Sequence, residues 1–367
     1  MSSHLPLKLD SNAAVSLVSQ LAGQIRWLIV SGSLREGDQL PPVRELGDQL
    51  GINLHTVRAA YLSLSEDGLV SVQRGRRARV LRFDRTRDRN AAGNVPSFSI
   101  GVIIPEFAPF YEPFLRGVEA AAADQPLMLF ICNAHNDRNA GLMYIDRLMA
   151  KGVDGIVMAG WLVDHGADLP PVGRPPIVFV DYPGAPGPSV QFNLEDSQRQ
   201  ATSHLIGHGH ERIGYLTPPI VFPNVAPKFD GHGAALAAAD LDVDPGLIVE
   251  LDDFAITSGE EGAGRLLDLD DPPTAIAASS DTLALGAFHA ATTRGIRIPQ
   301  DIALVGNDGI EMASIFRPSL TTVHLPVEDA GTRAVEMLGA IAQGADMASS
   351  PVMLETRLQL GQSCGCP

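Results

Sequence analysis

Between residues 98 and 308 the chain keeps one rhythm, a short apolar run followed by a stretch with helical spacing. The runs are FSIGVII (98–104), LMLFIC (127–132), DGIVMA (154–159), PIVFV (176–180), SVQF (189–192), RIGYL (212–216), TAIAAS (274–279) and IALVG (302–306). Helical patterns at 111–123, 138–151, 195–208, 229–239, 259–268 and 282–294 separate most of them. Runs with no wet face are strands buried on both sides. Strands joined through helices are parallel crossovers. The fold class is therefore α/β, with strands enough for two sheets and hence two lobes around a cleft.

The first hundred residues are different. Residues 12–31 carry Val15, Val18, Leu21, Ile25, Leu28 and Ile29 at helical spacing, with Ser11 or Asn12 as N-cap and Gly32 as stop. A short helix over 42–50 closes at Gly51. Another follows the N-cap residue Asn53 and runs to Asp67, with Gly68 as its stop. LVSVQ and RARVLRF then alternate like strands around a turn at Arg74–Gly75–Arg76. DRTRDRNAAGNVPS (84–97) is polar, contains Gly and Pro, and has no apolar period. These breaks divide the chain into 1–83, a linker over 84–97, and 98–367.

Charge divides along the same line. The chain of 367 residues carries 27 basic and 43 acidic residues, a net −16, yet residues 1–90 hold 13 basic against 9 acidic. A basic head on an acidic body suits a polyanionic partner for the head. Two helices around a tight turn followed by a hairpin make the plan of a winged helix-turn-helix, whose second helix enters the major groove. On 54–67, Val57, Ala60, Tyr61 and Leu64 share an inward face, leaving His55 and Arg58 outward to donate to bases or phosphates. Thr56 adds a hydroxyl, the turn RGRRAR adds Arg74, Arg76, Arg77 and Arg79, and Arg44 extends the rim. A small helical domain with a solvated basic hairpin is the competing reading.

The remaining chemistry is sparse. Three cysteines, Cys132, Cys364 and Cys366, make no disulfide framework and fit a reducing cytosol. The tail SCGCP reads as a frayed terminus, and His204 and His208, spaced i and i+4, lack a third ligand nearby in sequence. No metal, cofactor or catalytic group is expected. No nucleotide-binding or hydrolase motif is visible, no run is long enough to span a membrane, and the N-terminus has no signal-peptide core.

Residues 13–82 resemble the GntR-type winged-helix domain of bacterial transcription regulators. The resemblance rests on QIRWLIVSGSLREGDQLPPVRELGDQLGI, NLHTVRAAYLSLSEDGLV and QRGRRARV, with Gly32 to Pro41 and Glu66 to Leu69 keeping the family spacing. It implies DNA contacts at Arg44, His55, Thr56, Arg58, Arg74, Gly75 and Arg76. Two residues depart from the family: Pro42 stands where an N-cap Ser is usual, and Leu54 where many relatives place a polar contact.

Residues 98–363 resemble the effector domain of LacI-type repressors, which shares its fold with periplasmic sugar-binding proteins. FSIGVIIPEFAPFYEPFLRGVEAA, KGVDGIVMAG, HLIGHGHERIGYL, PTAIAASSDTLALGAFHAATTRGIRIPQDIALVGNDG and FRPSLTTVHLP carry the likeness in order. A GntR-type head on such a body is the architecture of arabinose-responsive repressors. Ligands of two-lobed α/β folds lie beyond the strand C-termini. The candidates there are Phe110, Tyr111, Asp181, Lys228, Phe254, Asp281 and Asp308. Lys228 stands where the family usually has Arg and lacks the bidentate fork. Ser280 stands where Asn is frequent, and Asp281 reads as well as a helix cap as a ligand.

Together these point to a cytoplasmic, ligand-responsive transcriptional repressor. It would bind double-stranded operator DNA as a homodimer and answer to a sugar-like or nucleoside-like effector, without enzymatic activity or membrane attachment. The alternatives are a solute-binding protein or an enzyme of the same α/β fold with no regulatory role.

Overall fold

The structure is a computed structural model. It describes residues 5, 7, 9, 16–30 (without the side chains of Trp27 and Val30), 33–73, 76–81, 99–123, 127–160, 175–342, 345 and 351–366. The chain divides into two compact units, one led by residues 1–100 and one holding most of 101–367.

In the first unit, α1 (Leu17–Val30), α2 (Val43–Leu50) and α3 (Leu54–Glu66) precede a hairpin of β1 (Val70–Ser71) and β2 (Arg79–Val80). The first helix starts at Leu17, where Ser16 Oγ accepts from Ser19 N at 3.2 Å. The caps expected at Ser11 or Asn12, together with Val15, lie outside the described residues. Asn53 caps α3 as expected, its side chain accepting from His55 N at 2.8 Å. Gly51 ends α2 at φ 66°, a left-handed turn that Gly adopts without a steric penalty.

The periodicity of α3 works as read: Val57, Ala60, Tyr61 and Leu64 are all buried, against Leu21, Ile25 and Leu46. Tyr61 satisfies its hydroxyl by donating to Pro41 O at 2.8 Å. An ion pair from Arg26 to Asp67 ties α1 to the end of α3. The hairpin gains a third pairing segment, because Leu40 N donates to Ala78 O and Val80 N to Asp38 O. This is a winged helix-turn-helix.

The second unit begins with β3 (Ser99–Ile104), α4 (Tyr111–Ala123), β4 (Met128–Asn133), α5 (Arg138–Lys151), β5 (Gly155–Ala159), β6 (Ile177–Val180) and β7 (Ser189–Phe192). It continues with α6 (Leu194–Gly207), β8 (Ile213–Thr217), α7 (Ala226–Ala237), β9 (Ile248–Glu250), α8 (Ile256–Leu267), β10 (Ala275–Ala278), α9 (Asp281–Thr293), β11 (Ala303–Asp308), α10 (Glu311–Ile315) and β12 (Thr321–His324). It ends with α11 (Val327–Ala342), β13 (Val352–Leu354) and β14 (Arg357–Gln359).

One sheet has the order β13-β7-β6-β5-β3-β4 and the other β14-β12-β11-β10-β8-β9. Pairing among β5, β6, β7 and β13 is parallel, as it is from β9 through β12, while β14 joins antiparallel. The chain passes between the sheets after β7, after β12 and between β13 and β14. Three connections therefore link two lobes.

All eight anticipated strands and six anticipated helices of this unit are present within a few residues of their expected bounds. The strands β9, β12, β13 and β14 and the helices α10 and α11 were not foreseen. β12 hides its signal because Thr321 and Thr322 are polar yet fully buried, their side chains bonded internally.

The tail reverses its expectation. It is pinned rather than frayed: Leu304 N donates to Ser363 O at 2.8 Å, Thr321 N to Ser363 Oγ at 2.9 Å, and Cys364 is buried. Backbone and hydroxyl groups of Ser363 extend the β11–β12 hydrogen bonding, which a composition-based reading of SCGCP does not reveal.

Helices α8 and α9 approach closely through glycine. A Cβ on Gly286 would lie 2.1 Å from Ile256 O, and one on Gly259 would lie 2.4 Å from Leu283 O. Neither backbone atom can yield cheaply. Gly286→Ala is expected to destabilise the chain by about 1–3 kcal/mol, the usual cost of overpacking. Gly233→Ala, mid-helix with only an ordinary contact to Val243, is expected to stabilise by up to about 1 kcal/mol. Urea unfolding of both variants checks the contrast.

Candidate functional site

The C-terminal strand ends of the two sheets each present an aspartate on strained backbone. Asp181, following β6, has φ 52°, and Asp308, ending β11, has φ 136°. Neither conformation suits an ordinary side chain, and such strain concentrates at functional sites. Both residues are buried. Between them lies Lys228 on α7, whose Nζ donates to Ser279 O at 2.7 Å and to Asp308 Oδ1 at 3.2 Å. An ammonium has three donors, so one is left among the described residues to meet a ligand.

Asp181 belongs to one lobe and its neighbours to the other. Asn224, just ahead of α7, hydrogen-bonds the Asp181 carboxylate, and the charges of Lys228 and Asp308 act on it. Among the described residues, its Oδ1 is buried without a hydrogen-bond partner. Burial is the main reason its pKa is pushed up to about 7; Lys228 pulls it down and Asp308 raises it further. Asp308 is also raised, by burial first, with Lys228 opposing. An unpartnered buried carboxylate oxygen is costly unless a ligand supplies the missing donor.

Tyr111 opens α4 on the same side. Its phenol is held well above its ordinary pKa by burial and by the carboxylates of Asp181, Glu106 and Asp308, so it stays a neutral donor. Phe110 packs edge-on against it with ring centres 5.1 Å apart, and edge-on against Phe192 at 6.5 Å. Gly160, at φ 68° after β5, lets the Tyr111 hydroxyl come close; a Cβ there would lie 2.9 Å from that oxygen. The structure thus brings Tyr111, Asp181, Lys228 and Asp308 together, with Phe110 beside them.

Two expected ligand residues stand differently. Asp281 points into its own lobe: Oδ2 accepts from Gly309 N at 2.7 Å and Ile310 N at 2.9 Å, and Oδ1 from Thr322 Oγ1 at 2.5 Å. It is fully buried, and burial and the neighbouring Asp308 raise its pKa. Its work is to fix the turn that follows Asp308. It does not cap α9 either, because Ser280 does so by accepting from Leu283 N at 3.2 Å. Phe254 lies half-buried in the loop between β9 and α8, and no described interaction ties its ring to the aspartates. Asn224, Gly160 and Glu106 belong to the site and escaped the sequence reading, since nothing in PNVAP, MAG or PEF marks them.

In the first unit, Arg44, His55 and Arg58 are exposed and Thr56 half-buried near the start of α3. Arg76, Arg77 and Arg79 are exposed on the wing, while Arg74 and Gly75 lie outside the described residues. Among the described residues, none of Arg44, Arg58, Arg76, Arg77 and Arg79 is paired with a carboxylate. In the second unit Arg116, Arg199, Arg212, Arg294, Arg297 and Arg333 all are. Unpaired guanidinium groups beside a helix N-terminus form a surface for phosphates.

Comparison with known proteins agrees with both halves. The family described as bacterial regulatory proteins, gntR family, matches residues 17–80, and the periplasmic binding protein-like domain matches 202–364. The HTH-type transcriptional repressor PurR of Aliivibrio salmonicida is 34% identical over 245 residues, 65% of this chain and 73% of the relative. The chain belongs to the LacI family of transcriptional repressors, with a GntR-type head.

The regulator is also similar to the structure of a transcriptional regulator of the LacI family from Sanguibacter keddieii. That match is 31% identical over 73% of this chain and 99% of the other, with a TM-score of 0.65. A LacI family regulator from Enterococcus faecium with bound ribose matches 72% of this chain and 98% of the other, with 25% identity and a TM-score of 0.66. The regulator is thus a ligand-responsive transcription factor, and its relatives are regulators rather than enzymes. Among the described residues, no helix is long and apolar enough to cross a membrane.

The raised pKa of Asp181 predicts a definite sign for the pH dependence of ligand binding at this candidate site. A hydroxyl-bearing effector donates to the carboxylate form, so binding must expel the proton that the free site holds below about pH 7. Affinity is expected to rise with pH from 6 to 7, by up to about tenfold per unit, and to level off above. In Asp181→Asn the rise is expected to flatten. Calorimetric titration across this range, in buffers of different ionisation enthalpy, measures both affinity and proton release.

Proposed function

We propose that the regulator is a cytoplasmic repressor that binds operator DNA as a homodimer and is switched by a neutral sugar. It is not an enzyme. The observation that carries the effector reading is the pair of strained, buried aspartates held by Lys228, with Asp181 Oδ1 left for a donor. Two carboxylates against one ammonium favour hydroxyl donors and disfavour phosphate or carboxylate groups. Adjacent hydroxyls of a sugar suit Asp181 and Asp308, Tyr111 supplies a further hydrogen bond, and Phe110 an apolar face. Phe254 is proposed to reach the sugar as the cleft closes, and Asp281 to act by positioning Asp308. The ribose-bound relative supports a sugar over a nucleoside.

For DNA, Arg44, His55, Thr56 and Arg58 are assigned to the recognition helix and its rim, and Arg74, Gly75 and Arg76 to the wing. The head would span 1–83, the linker 84–97 and the effector body 98–367. Dimerisation through the body is supported by its edge strand β4, which exposes Met128 and Ile131, beside the part-exposed Met143 of α5. A dimer would set two recognition helices on half-sites of a near-palindromic operator. Closure of the cleft on sugar would change the dimer and respace the heads.

Gel-shift with the DNA upstream of the regulator's own gene, repeated with sugars that raise its melting temperature, tests the whole proposal. The double variant Arg58→Ala/Arg76→Ala is expected to lose operator binding while keeping sugar-induced thermal stabilisation. Asp308→Asn is expected to keep operator binding and lose the sugar response. Normal operator binding by the arginine variant would put the DNA surface elsewhere, and an intact sugar response in Asp308→Asn would move the effector site.

A further inference from the structure

Apart from the cleft aspartates, two pairs of side chains meet where the tail reaches α6. His204 and His208 lie one turn apart on α6 and its C-terminal end, with ring centres 4.7 Å apart. The pinned tail brings Cys364 and Cys366 against them. His204 Nε2 lies 3.2 Å from Cys364 Sγ and 3.4 Å from Cys366 Sγ, and His208 Nε2 lies 3.3 Å from Cys366 Sγ. All four ligand atoms fall within 4.8 Å of one another.

We infer that His204, His208, Cys364 and Cys366 form a tetrahedral zinc site that fastens the end of the chain to α6. Each pair alone was set aside in the sequence as too small a ligand set; together they make a Cys2His2 set. Zinc holds sulfur at about 2.3 Å and imidazole nitrogen at about 2.0–2.1 Å, which puts neighbouring ligand atoms of a tetrahedron about 3.3–3.8 Å apart. The three short nitrogen–sulfur separations, at 3.2, 3.4 and 3.3 Å, lie at or just below the short edge of that range, and the widest separation in the set, within 4.8 Å, closes by up to about an ångström as a cation enters. Two thiolates and two imidazoles in this shape select zinc over magnesium, calcium or manganese. Two thiolates also balance the charge of a divalent ion, with each thiol giving up its proton as the metal enters.

Local structure supports the geometry. The i, i+4 spacing sets both histidines on one side of α6. Gly365, at φ 93°, makes the turn that aims both sulfurs the same way. Thr321 Oγ1 accepts from Gly361 N at 2.9 Å, which leaves its own hydrogen for Cys364 Sγ at 3.0 Å. A hydroxyl donating to a metal-bound thiolate is the outer support such sites use. His210, two residues past His208, instead bonds Thr274 Oγ1 at 2.9 Å and stands outside the set.

The consequence lies in the connection between lobes. β13 pairs with β7 in one lobe and β14 with β12 in the other, so the segment between them is the last of the three connections. A metal clip five to seven residues beyond β14 secures that connection to the second lobe. This inference is independent of the identity of the effector and of the DNA contacts.

The test uses the full chain, purified without a polyhistidine tag and kept in a phosphine reductant. Elemental analysis is expected to find about one zinc per chain. Stripping with a chelator and titrating with cobalt(II) is expected to give visible bands of tetrahedral cobalt together with thiolate-to-cobalt charge transfer. His208→Ala, at an exposed position, and Cys366→Ser, next to the last residue, are each expected to weaken zinc binding at least about tenfold, the lower end of what losing even an outer-shell partner costs. Chelation is expected to lower the melting temperature of the wild type but not of these variants.

Stoichiometric metal with the cobalt signature supports the site. A reduced wild-type chain that takes up no zinc at micromolar concentration, or one whose two thiols are found only as a disulfide, overturns it. So does unchanged zinc affinity in both variants. Should a variant fail to fold, the cobalt spectrum of the wild type decides by itself, because the charge-transfer band reports thiolate ligation directly.

Discussion

The effector body is organised around an electrostatic problem: two buried carboxylates, Asp181 and Asp308, face each other across lobes with a single ammonium, Lys228, between them. Burying like charges is unfavourable, and the protein meets that cost partly with Lys228 and partly by raising both pKa values. The rest of the body serves this arrangement. Parallel strands bring both aspartates to the same end of their sheets, Asp281 braces the turn after Asp308 from within, and Asn224 reaches across to Asp181. A site balanced in this way is poised for a ligand that supplies hydroxyl donors. Replacing a missing hydrogen bond inside a closed cleft stabilises closure more than the same bond would in water.

The head solves a different problem with the same economy. Its core is three short helices and a two-residue-per-strand wing, held by aliphatic packing, the Tyr61 hydrogen bond and the Arg26–Asp67 ion pair. Among the described residues, that leaves Arg44, Arg58, Arg76, Arg77 and Arg79 without a carboxylate partner. On a chain of net charge −16, a cluster of such arginines on one small surface localises the attraction for a polyanion, while the acidic body discourages binding elsewhere.

Much of this was legible in the sequence, because it rests on periodicity and on residues with unusual backbone freedom. The strands β3 and β11 announce themselves through the short apolar runs FSIGVII and IALVG, and the inward face of α3 follows from spacing alone. The glycine after α2 marked its end. What stayed hidden depends on tertiary pairing. Polar strands such as Thr321–His324 exist because buried threonines find partners forty residues away, as Thr322 does in Asp281. Asp281 looks like a ligand residue or a cap until its carboxylate is seen bonded to Gly309, Ile310 and Thr322. The terminal cysteines looked loose because the bonds that hold them, from Ser363 to Leu304 and Thr321, join segments distant in sequence. Substituting Lys228 for the family's usual Arg was visible, but its consequence was not: the ammonium bridges Ser279 and Asp308 and keeps one donor for a ligand.

A repressor built from a cleft and a head is one thermodynamic device, and linkage requires that each site feel the other equally. The most direct test is a closed cycle: the dissociation constant of operator DNA with and without saturating sugar, and that of sugar with and without saturating operator, at one pH and one salt concentration. The account predicts that both ratios are equal and lie in the range of about 5–150-fold typical of allosteric coupling. Sugar binding with the same affinity to free and operator-bound protein would contradict it.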